Sequence, residues 1–574
     1  TTEPFVPTPP SSVTNMDDDA HERDPLLQKR KTPLDLCWTS ECLGWLRGLS
    51  QSYGHRLLIL IFVLLHVQTG FVRILAGKWG TMPYLFKSYN VPAPLVQMCV
   101  SVTDSAWVMA PLLALISDTC PIAGYNKAPY VVIFSAVGAG ACLVIWLLPP
   151  GSLSLPLLMA CLFLLLLQIV VCYLTCNGAY VKRVQQQGDA AQGADLQVYV
   201  SCGIEACGLV ANSVSGPVIN GLGPGATYGL AALPAGAAGL VAALGFFEEE
   251  RVGKEEVAAT RQRFWEQGEV CVLALVMFLA VLLTSLLTIL SRSLTVNVAG
   301  YVVAGAVVVA SFSVALSPAV AKMSAFSVLF NAFGLSVEGA LFYFYTDSAE
   351  TFPDGPHLTP YFYNSVRGIV HGCFALVGIY TYRRYARAWS YRQAVLVGRV
   401  AYTVALLLTL VLVTRANLTL GIPDRLFVVV HTALLSMAYQ WQQMPFRVCF
   451  MYLCPRHMET TMYALLKGCS DLGGSMSSSL GGLLLSHLGC RPRGAVGDVA
   501  HFQHLPHAIV LAAAAGLCGV LPLLHLVPED QPDKRLAEGA GVDATAGSLW
   551  EGWMRRGGRL GPGGSLLTGE GGAA

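Results

Sequence analysis

Repeated apolar runs of about 20 residues constrain this chain more than any other feature of its sequence. Each run is long enough to cross the hydrocarbon core of a bilayer as a helix. The composition agrees, because 54% of the 574 residues are hydrophobic and 12% are charged, which is about half the charged fraction of a soluble domain. The sequence therefore predicts an all-α polytopic membrane protein.

The apolar runs also predict where the spans lie and which way they face. The predicted spans are 57–76, 94–117, 129–149, 154–177, 198–220, 225–247, 270–290, 298–320, 324–346, 365–385, 394–414, 425–447, 461–488 and 506–528. If the N-terminal tail is inside, Lys and Arg are more frequent in the inner loops, and the outer loop 349–364 has neither. This positive-inside bias predicts that both termini are cytoplasmic.

The order of the spans predicts two six-helix halves with about two additional spans, so about 12–14 transmembrane helices. Residues 1–35 are polar and rich in proline, so we expect a tail rather than a cleavable signal peptide. The predicted organisation is a disordered cytoplasmic N-terminal tail (1–50), an N-terminal half (57–247), a central cytoplasmic loop (248–268), two extra spans (270–320), a C-terminal half (324–528) and a cytoplasmic C-terminal tail (529–574).

Charged residues deep in the predicted spans are candidates for function, because burying a charge in a bilayer is costly. Asp104, Glu205 and Glu338 are the candidate proton-coupling acids, and Arg73 and Arg367 lie near the outer ends of their spans. Intramembrane charges also pair with one another only to fix helix packing, and that alternative remains open for each of them.

Two acid–base pairs stand out. Asp118 and Lys127 flank the turn between the second and third spans, where they predict either a cytoplasmic gate or a capped solvent loop. Lys467 and Asp471 are four residues apart on the thirteenth span, so they share a helix face and can neutralise each other. Glycines on the same span, including Gly481-Gly482, predict close approach of another helix backbone.

Several other patterns have simpler interpretations. Asn417 begins an N-x-T sequon in a predicted outer loop and is the candidate glycosylation site. The aromatic run 342–345 is typical of a membrane-interface belt. His501, His504 and His507 lack acidic or cysteine companions, so we predict no metal site.

The sequence lacks the motifs of known catalytic sites and of ATP-binding loops, and it has no basic cluster interleaved with aromatic residues. We therefore predict a protein that is not an enzyme, has no cofactor and binds no nucleic acid. Any uphill transport has to be driven by a gradient of an ion or of a substrate.

The chain resembles the folate–biopterin transporter family of the major facilitator superfamily, especially its kinetoplastid branch, over roughly residues 44–490. The resemblance rests on four motifs in the right order: Trp107-x-x-x-Pro111 with Ser117-Asp118-x-x-Pro121-Ile122-x-Gly124-Tyr125; FYFYTD at 342–347 with GPH at 355–357; Asn417-Leu418-x-Leu420-Gly421-Ile422-Pro423-Asp424; and Met458-Glu459-x-Thr461-Met462-Tyr463-Ala464-Leu465-Leu466-x-Gly468-Cys469.

The resemblance implies a plasma-membrane carrier that imports folates or pterins, linked to protons. Trp107 and Trp441 are candidates for stacking on the ring of the substrate, and Arg73 and Arg367 for binding its carboxylates. The family pattern is altered where this chain has Ala110, Asn177 and Lys182. Two alternatives therefore stay open: a carrier for another metabolite, such as S-adenosylmethionine, and a nutrient sensor that does not transport.

Overall fold

The computed structural model describes residues 40–149, 152–187, 190–266, 268–291, 293–386, 389–453, 459–496, 498–527, 529, 547–549 and 551–552. Regular structure in these ranges is helical, apart from one antiparallel bridge between Ile122 and Tyr125. The chain divides into two units, Thr1–His55 and Arg56–Ala574. The first contains helix α1 (Ser40–Tyr53), so the structure has a helix where the sequence predicted disorder as far as residue 50.

The predicted N-terminal half is formed by helices α2 to α10. Their bounds are α2 (His55–Ile61), a π-helical stretch (Phe62–Val72), α3 (Arg73–Ala76), α4 (Met82–Ser88), α5 (Ala93–Val108), α6 (Ala110–Thr119), α7 (Ala128–Leu147), α8 (Leu155–Gln187), α9 (Ala190–Leu222) and α10 (Pro224–Ala243). The predicted second span is two helices, because Pro111 has no backbone N–H and interrupts the ladder next to Met109.

The middle of the chain adds three helices, α11 (Lys254–Glu266), α12 (Gly268–Leu290) and α13 (Leu294–Ala315). α11 is charged and belongs to the predicted central loop, whereas α12 and α13 are apolar and pack against each other. α12 also contacts α5.

The predicted C-terminal half is formed by helices α14 to α22. Their bounds are α14 (Pro318–Ala332), α15 (Glu338–Thr346), a π-helical stretch (Tyr361–Val366), α16 (Arg367–Tyr385), α17 (Tyr391–Leu407), α18 (Thr409–Val413), α19 (Ala416–Thr419), α20 (Asp424–Leu453), α21 (Glu459–His487), a 3₁₀ turn (Asp498–Phe502), α22 (Leu505–Val520) and a 3₁₀ stretch (Leu521–Leu526).

Among the described residues, ten helical segments are long and apolar enough to cross a membrane. The other four predicted spans are helical too, at 318–346, 361–385, 424–453 and 459–487. Their lower apolar content, or their interruption, is expected of helices that line a polar interior. The number of spans in the membrane, 12 to 14, stays a prediction.

The predicted ninth span, 324–346, is not one continuous helix. α14 ends at Ala332 and α15 begins at Glu338. The Ser336 carbonyl between them accepts a hydrogen bond from Gln97 Nε2 at 2.8 Å, and the Gly334 carbonyl accepts one from Ser477 Oγ at 2.7 Å. The interruption therefore persists because side chains from α5 and α21 satisfy its free backbone groups.

α21 packs against α5 and α14 at very short range, as its glycines predicted. A Cβ added at Gly482 would lie 2.7 Å from the Pro94 carbonyl oxygen. A Cβ added at Gly481 would overlap the Ser336 backbone. No residue other than glycine fits at these two positions without a backbone shift.

Candidate functional site

Four charged side chains from both halves of the protein form one group, which we name the charge cluster: Lys78, Asp104, Glu338 and Arg367. Lys78 Nζ lies 2.5 Å from Asp104 Oδ2, and about a third of each side chain is exposed. Glu338 interacts electrostatically with both Lys78 and Arg367. Its own side chain is exposed, although the next seven residues of α15, 339–345, are buried.

Arg367 is held by aromatic rings rather than by a direct ion pair. Its guanidinium carbon lies 4.3 Å from the ring centroid of Tyr363 and 5.9 Å from that of Tyr345. Such cation–π contacts hold the charge in place while leaving its N–H groups able to bind a further anion.

One turn along α16, His371 accepts or donates a hydrogen bond with Ser436 Oγ at 2.7 Å and stacks on Trp79. Trp79 is 41% exposed and lies beneath the ammonium of Lys78. The charge cluster therefore has an accessible flat aromatic surface beside it.

A second cation lies against aromatic rings in the N-terminal half. Arg73 Cζ is 5.1 Å from the ring centroid of Trp107, and Trp107 meets Tyr173 edge to face at 5.3 Å. Tyr173 interacts electrostatically with Arg73 and with Asp471 of α21. The structure thus brings Arg73, Trp107 and the Lys467–Asp471 ion pair to the same region.

Two predicted site residues lie elsewhere. Trp441 donates a hydrogen bond from Nε1 to Thr381 Oγ1 at 2.9 Å and packs edge to face on Trp389, so it joins α20 to α16. Glu205 is exposed on α9, and among the described residues it has no ion-pair or hydrogen-bond partner. Neither residue belongs to the charge cluster.

The turn after α6 differs from its prediction in one respect. Glu249, not Asp118, accepts hydrogen bonds from the backbone N–H groups of Lys127 and Ala128 at 3.2 and 3.1 Å. Burial lowers the pKa of Lys127, while Asp118 and Glu249 oppose that shift. Asp118 and Lys127 thus interact through space without a direct ion pair. The role of this turn as a cytoplasmic gate stays a prediction.

The glycosylation of Asn417 stays a prediction, and the structure places this residue in a buried position. Its side chain is fully buried, and Nδ2 donates to the Ile422 carbonyl at 3.0 Å and to Asp424 Oδ1 at 2.7 Å. A glycan on this nitrogen would have to displace both partners. Asn417 is a structural residue of the turn between α18 and α20.

The aromatic run at 342–345 is not an interface belt either. All four side chains are buried, with 6% or less of each exposed. They pack on one another and on Phe352 and Phe502. A run of alternating Phe and Tyr fits a protein core as well as a lipid interface.

Sequence reasoning missed two basic residues. Lys78 lies between the predicted spans 57–76 and 94–117, and only its distance to Asp104 identifies it as part of the site. Arg399 is 2% exposed in α17, where it donates to the Gly516 carbonyl at 2.9 Å and stacks on Phe330. A basic residue inside the predicted span 394–414 was the available signal for Arg399.

The arrangement provides cations beside aromatic rings, acids that neutralise those cations, and partly exposed side chains. Within the described ranges, no three His, Cys, Asp or Glu side chains lie together as metal ligands. The site is suited to holding a flat, charged organic molecule, not to a covalent reaction.

The fold is shared with solved transporters of the major-facilitator type. The chain is similar to nucleoside transporter NupG (TM-score 0.54, 12% identity, 82% of this chain and 99% of that one). It is also similar to a D-xylose–proton symporter (0.53, 11%, 84% and 100%) and to peptide transporter POT with sulfate (0.56, 13%, 84% and 99%). The protein is thus a multi-pass membrane protein of the major-facilitator-type fold.

The sequence model of the BT1 family matches residues 70–543, and the chain belongs to this family. It is 25% identical to "Probable folate-biopterin transporter 6" of Arabidopsis thaliana over 447 residues, 77% of this chain and 78% of that one. It is 24% identical to "Folate-biopterin transporter" of Synechocystis over 432 residues, 74% and 73% of the two chains. The protein is a membrane transporter and not an enzyme.

Proposed function

We propose that this protein is a secondary carrier that imports folates or unconjugated pterins across the plasma membrane by alternating access, coupled to protons. Both termini lie in the cytoplasm in this proposal, and the chain belongs to the kinetoplastid branch of a family within the major facilitator superfamily. The names of the relatives support the substrate class.

The observation that carries the proposal is the charge cluster with its aromatic neighbours. Folates are flat and aromatic at the pterin end and anionic at the glutamate end. Arg367, held on Tyr363, can donate paired N–H groups to a carboxylate, and Trp107 or the exposed Trp79 can stack on the ring. The sequence-predicted roles of Arg73 and Arg367 in substrate binding fit this geometry.

Glu338 is the acid best placed to couple a proton. It belongs to the C-terminal half, its side chain is exposed, and it interacts with cations of both halves, Lys78 and Arg367. Protonation of Glu338 removes one negative charge from a cluster that holds two of each sign. The cluster then has a net positive charge and attracts an anion more strongly.

One observation favours a different substrate. Asn177 replaces an acid of the family pattern, and its Nδ2 donates to the Tyr173 carbonyl within α8 at 2.6 Å. The position is therefore occupied by an intrahelical contact and no longer supplies a charge. A carrier of the same mechanism for another metabolite, such as S-adenosylmethionine, is the second candidate.

The test is uptake of radiolabelled folate, biopterin and S-adenosylmethionine by cells that lack their own carriers and express this chain at the surface. Saturable folate or biopterin uptake, faster at acidic than at neutral external pH, is the expected result. Saturable uptake of S-adenosylmethionine alone would establish the second candidate. Substrate binding with no uptake of any of the three would refute transport and indicate a sensor.

A further inference from the structure

The two halves are joined at the end of the helices that the topology places outside, which we name the outer end. Tyr343 Oη donates to the Val91 carbonyl at 2.5 Å, and Asn364 Nδ2 donates to the Gly80 carbonyl at 3.2 Å. Each bond runs from the C-terminal half to the segment between α3 and α5. The outer end is therefore closed in this structure.

A buried ion pair lies at the centre of these contacts. Lys87 Nζ, on α4, lies 2.7 Å from Asp347 Oδ1, directly after α15. The Asp347 side chain is fully buried, and that of Lys87 is 23% exposed. Lys87 also donates to the carbonyl and hydroxyl oxygens of Thr346 at 2.9 and 3.2 Å. One lysine of the N-terminal half thus binds the end of a helix of the C-terminal half.

We propose that Lys87 and Asp347 are the outer gate of this carrier, which has to break this ion pair each time the site opens to the outside. The inference rests on the proposed carrier function. It explains the FYFYTD motif at 342–347, whose aromatic residues are buried around the pair and whose last residue is the carboxylate itself.

The pair is suited to reversible opening because its carboxylate is weakly solvated when closed. The described residues supply no hydrogen-bond donor to Asp347 beyond the nearby ammonium. A buried pair of this kind gives little net stability, because the loss of hydration offsets the attraction. Separation of the pair into water is therefore possible within a transport cycle.

The same geometry links the gate to pH. Burial raises the pKa of Asp347, and Lys87 opposes the shift only in part. Asp498, Tyr343 and His357 also face this carboxyl group, and His357 Nδ1 bonds the Asp347 carbonyl oxygen at 2.8 Å. Opening exposes the group and returns its pKa toward the ordinary value.

The sign of the effect follows from this difference. A group whose pKa is higher in the closed state binds protons more tightly there, so protonation favours closure. This stabilisation of the closed form is fully present below the pKa that Asp347 has in the open form. It is lost as the pH rises through the pKa that Asp347 has in the closed form. External acid is thus expected to shift the carrier toward the form that is closed to the outside.

The experiment measures accessibility and does not depend on transport. Trp79, which is 41% exposed beside the charge cluster, is replaced by cysteine in the full chain, and labelling by an impermeant maleimide is followed from outside intact cells. Labelling of the chain without the new cysteine is subtracted. Lys87→Gln, Asp347→Asn and the double variant are compared at equal surface expression, each at neutral and acidic pH.

Lys87→Gln leaves a buried carboxylate without its cation, so the gate opens and labelling rises about tenfold at neutral pH. Acid reverses this rise. Asp347→Asn leaves no buried acid, so labelling stays low and does not change with pH. The double variant behaves like Asp347→Asn. The matched control is Arg415→Gln, which removes the cation of another outer-end ion pair, with Asp424, that lies within one half.

Equal rises in Lys87→Gln and Asp347→Asn would overturn the gate, because they would show a contact that merely holds the fold together. Unchanged labelling in every variant would overturn it as well. If labelling follows the expected pattern but no folate or pterin is taken up, the gate is supported and the proposed substrate class is contradicted. The two proposals can thus fail separately.

Discussion

Lys78 forms an ion pair with Asp104 of its own half, while Glu338 of the other half acts on the same ammonium. A movement of one half against the other changes the distance to Glu338 and leaves the distance to Asp104 intact. The ammonium of Lys78 therefore senses the relative position of the two halves through a single charge.

Replacing Lys78 by Met is expected to lower uptake about tenfold or more, because it leaves Asp104 without its partner. Asp104→Asn is expected to lower uptake to a similar extent, because it leaves Lys78 without its partner. The double variant carries neither charge and is expected to recover part of the loss. Initial uptake rates of the three variants at equal surface expression measure this; equally severe and additive losses would show that the pair is not coupled.

Replacing Glu338 by Gln is expected to abolish the stimulation of uptake by external acid, because the variant has no proton to gain at this position. Glu205→Gln is the matched control, since Glu205 is also an intramembrane acid but lies apart from the charge cluster. Its pH profile is expected to match that of the unmodified protein. The reverse result would assign proton coupling to Glu205.

Arg367→Gln is expected to raise the KM for an anionic substrate about tenfold, since a charge-assisted hydrogen bond contributes about 1.5–3 kcal/mol. Arg367→Lys keeps the charge but loses the planar stack on Tyr363, and it is expected to restore affinity only in part. Concentration series for folate uptake give both values. A lower KM in Arg367→Gln would instead point to a cationic substrate.

Gly481→Ala is expected to cost about 1–3 kcal/mol of stability or to block closure of the outer end, because its Cβ would overlap the Ser336 backbone. Gly474→Ala, on the same helix, meets nothing within 4 Å and serves as the control. Thermal stability in detergent and the rate of uptake are measured for both variants, and only Gly481→Ala is expected to lower either of them. Equal behaviour would show that α21 does not pack through Gly481.

Asn417→Gln is expected to destabilise the protein by about 1–3 kcal/mol, because it disrupts two hydrogen bonds of a buried amide. We also expect no sugar on Asn417. A glycosidase digest followed by mass analysis of the peptide that contains residue 417 checks this. A glycan on that residue would contradict the buried conformation described above.

The sequence predicted the class of fold well, because runs of about 20 apolar residues allow few structures in a bilayer. It placed Arg73, Asp104, Glu338 and Arg367 among the candidates, because a charge within a span is a strong signal, and Trp107 through the family resemblance. It did not find the interruption between α14 and α15, since the side chains that stabilise it come from distant helices.

The sequence also did not predict which charged residues pair with each other across the protein. Nothing local indicates that Lys78 reaches Asp104, or that Lys87 reaches Asp347 across 260 residues of chain. Asn417 shows the opposite problem, because a three-residue sequon says nothing of burial. Contacts of this kind depend on tertiary structure and are visible only in the folded protein.

The hydrogen bond from Gln97 to the Ser336 carbonyl spans the two halves beside the interruption of the ninth span. The Tyr343–Val91 bond and the Lys87–Asp347 pair join neighbouring residues of the same two parts of the chain, so all three contacts separate when these parts move apart. We therefore expect the three contacts to open together in the transport cycle. The fluctuation of a single side chain then leaves the other two contacts in place and opens no path for solutes.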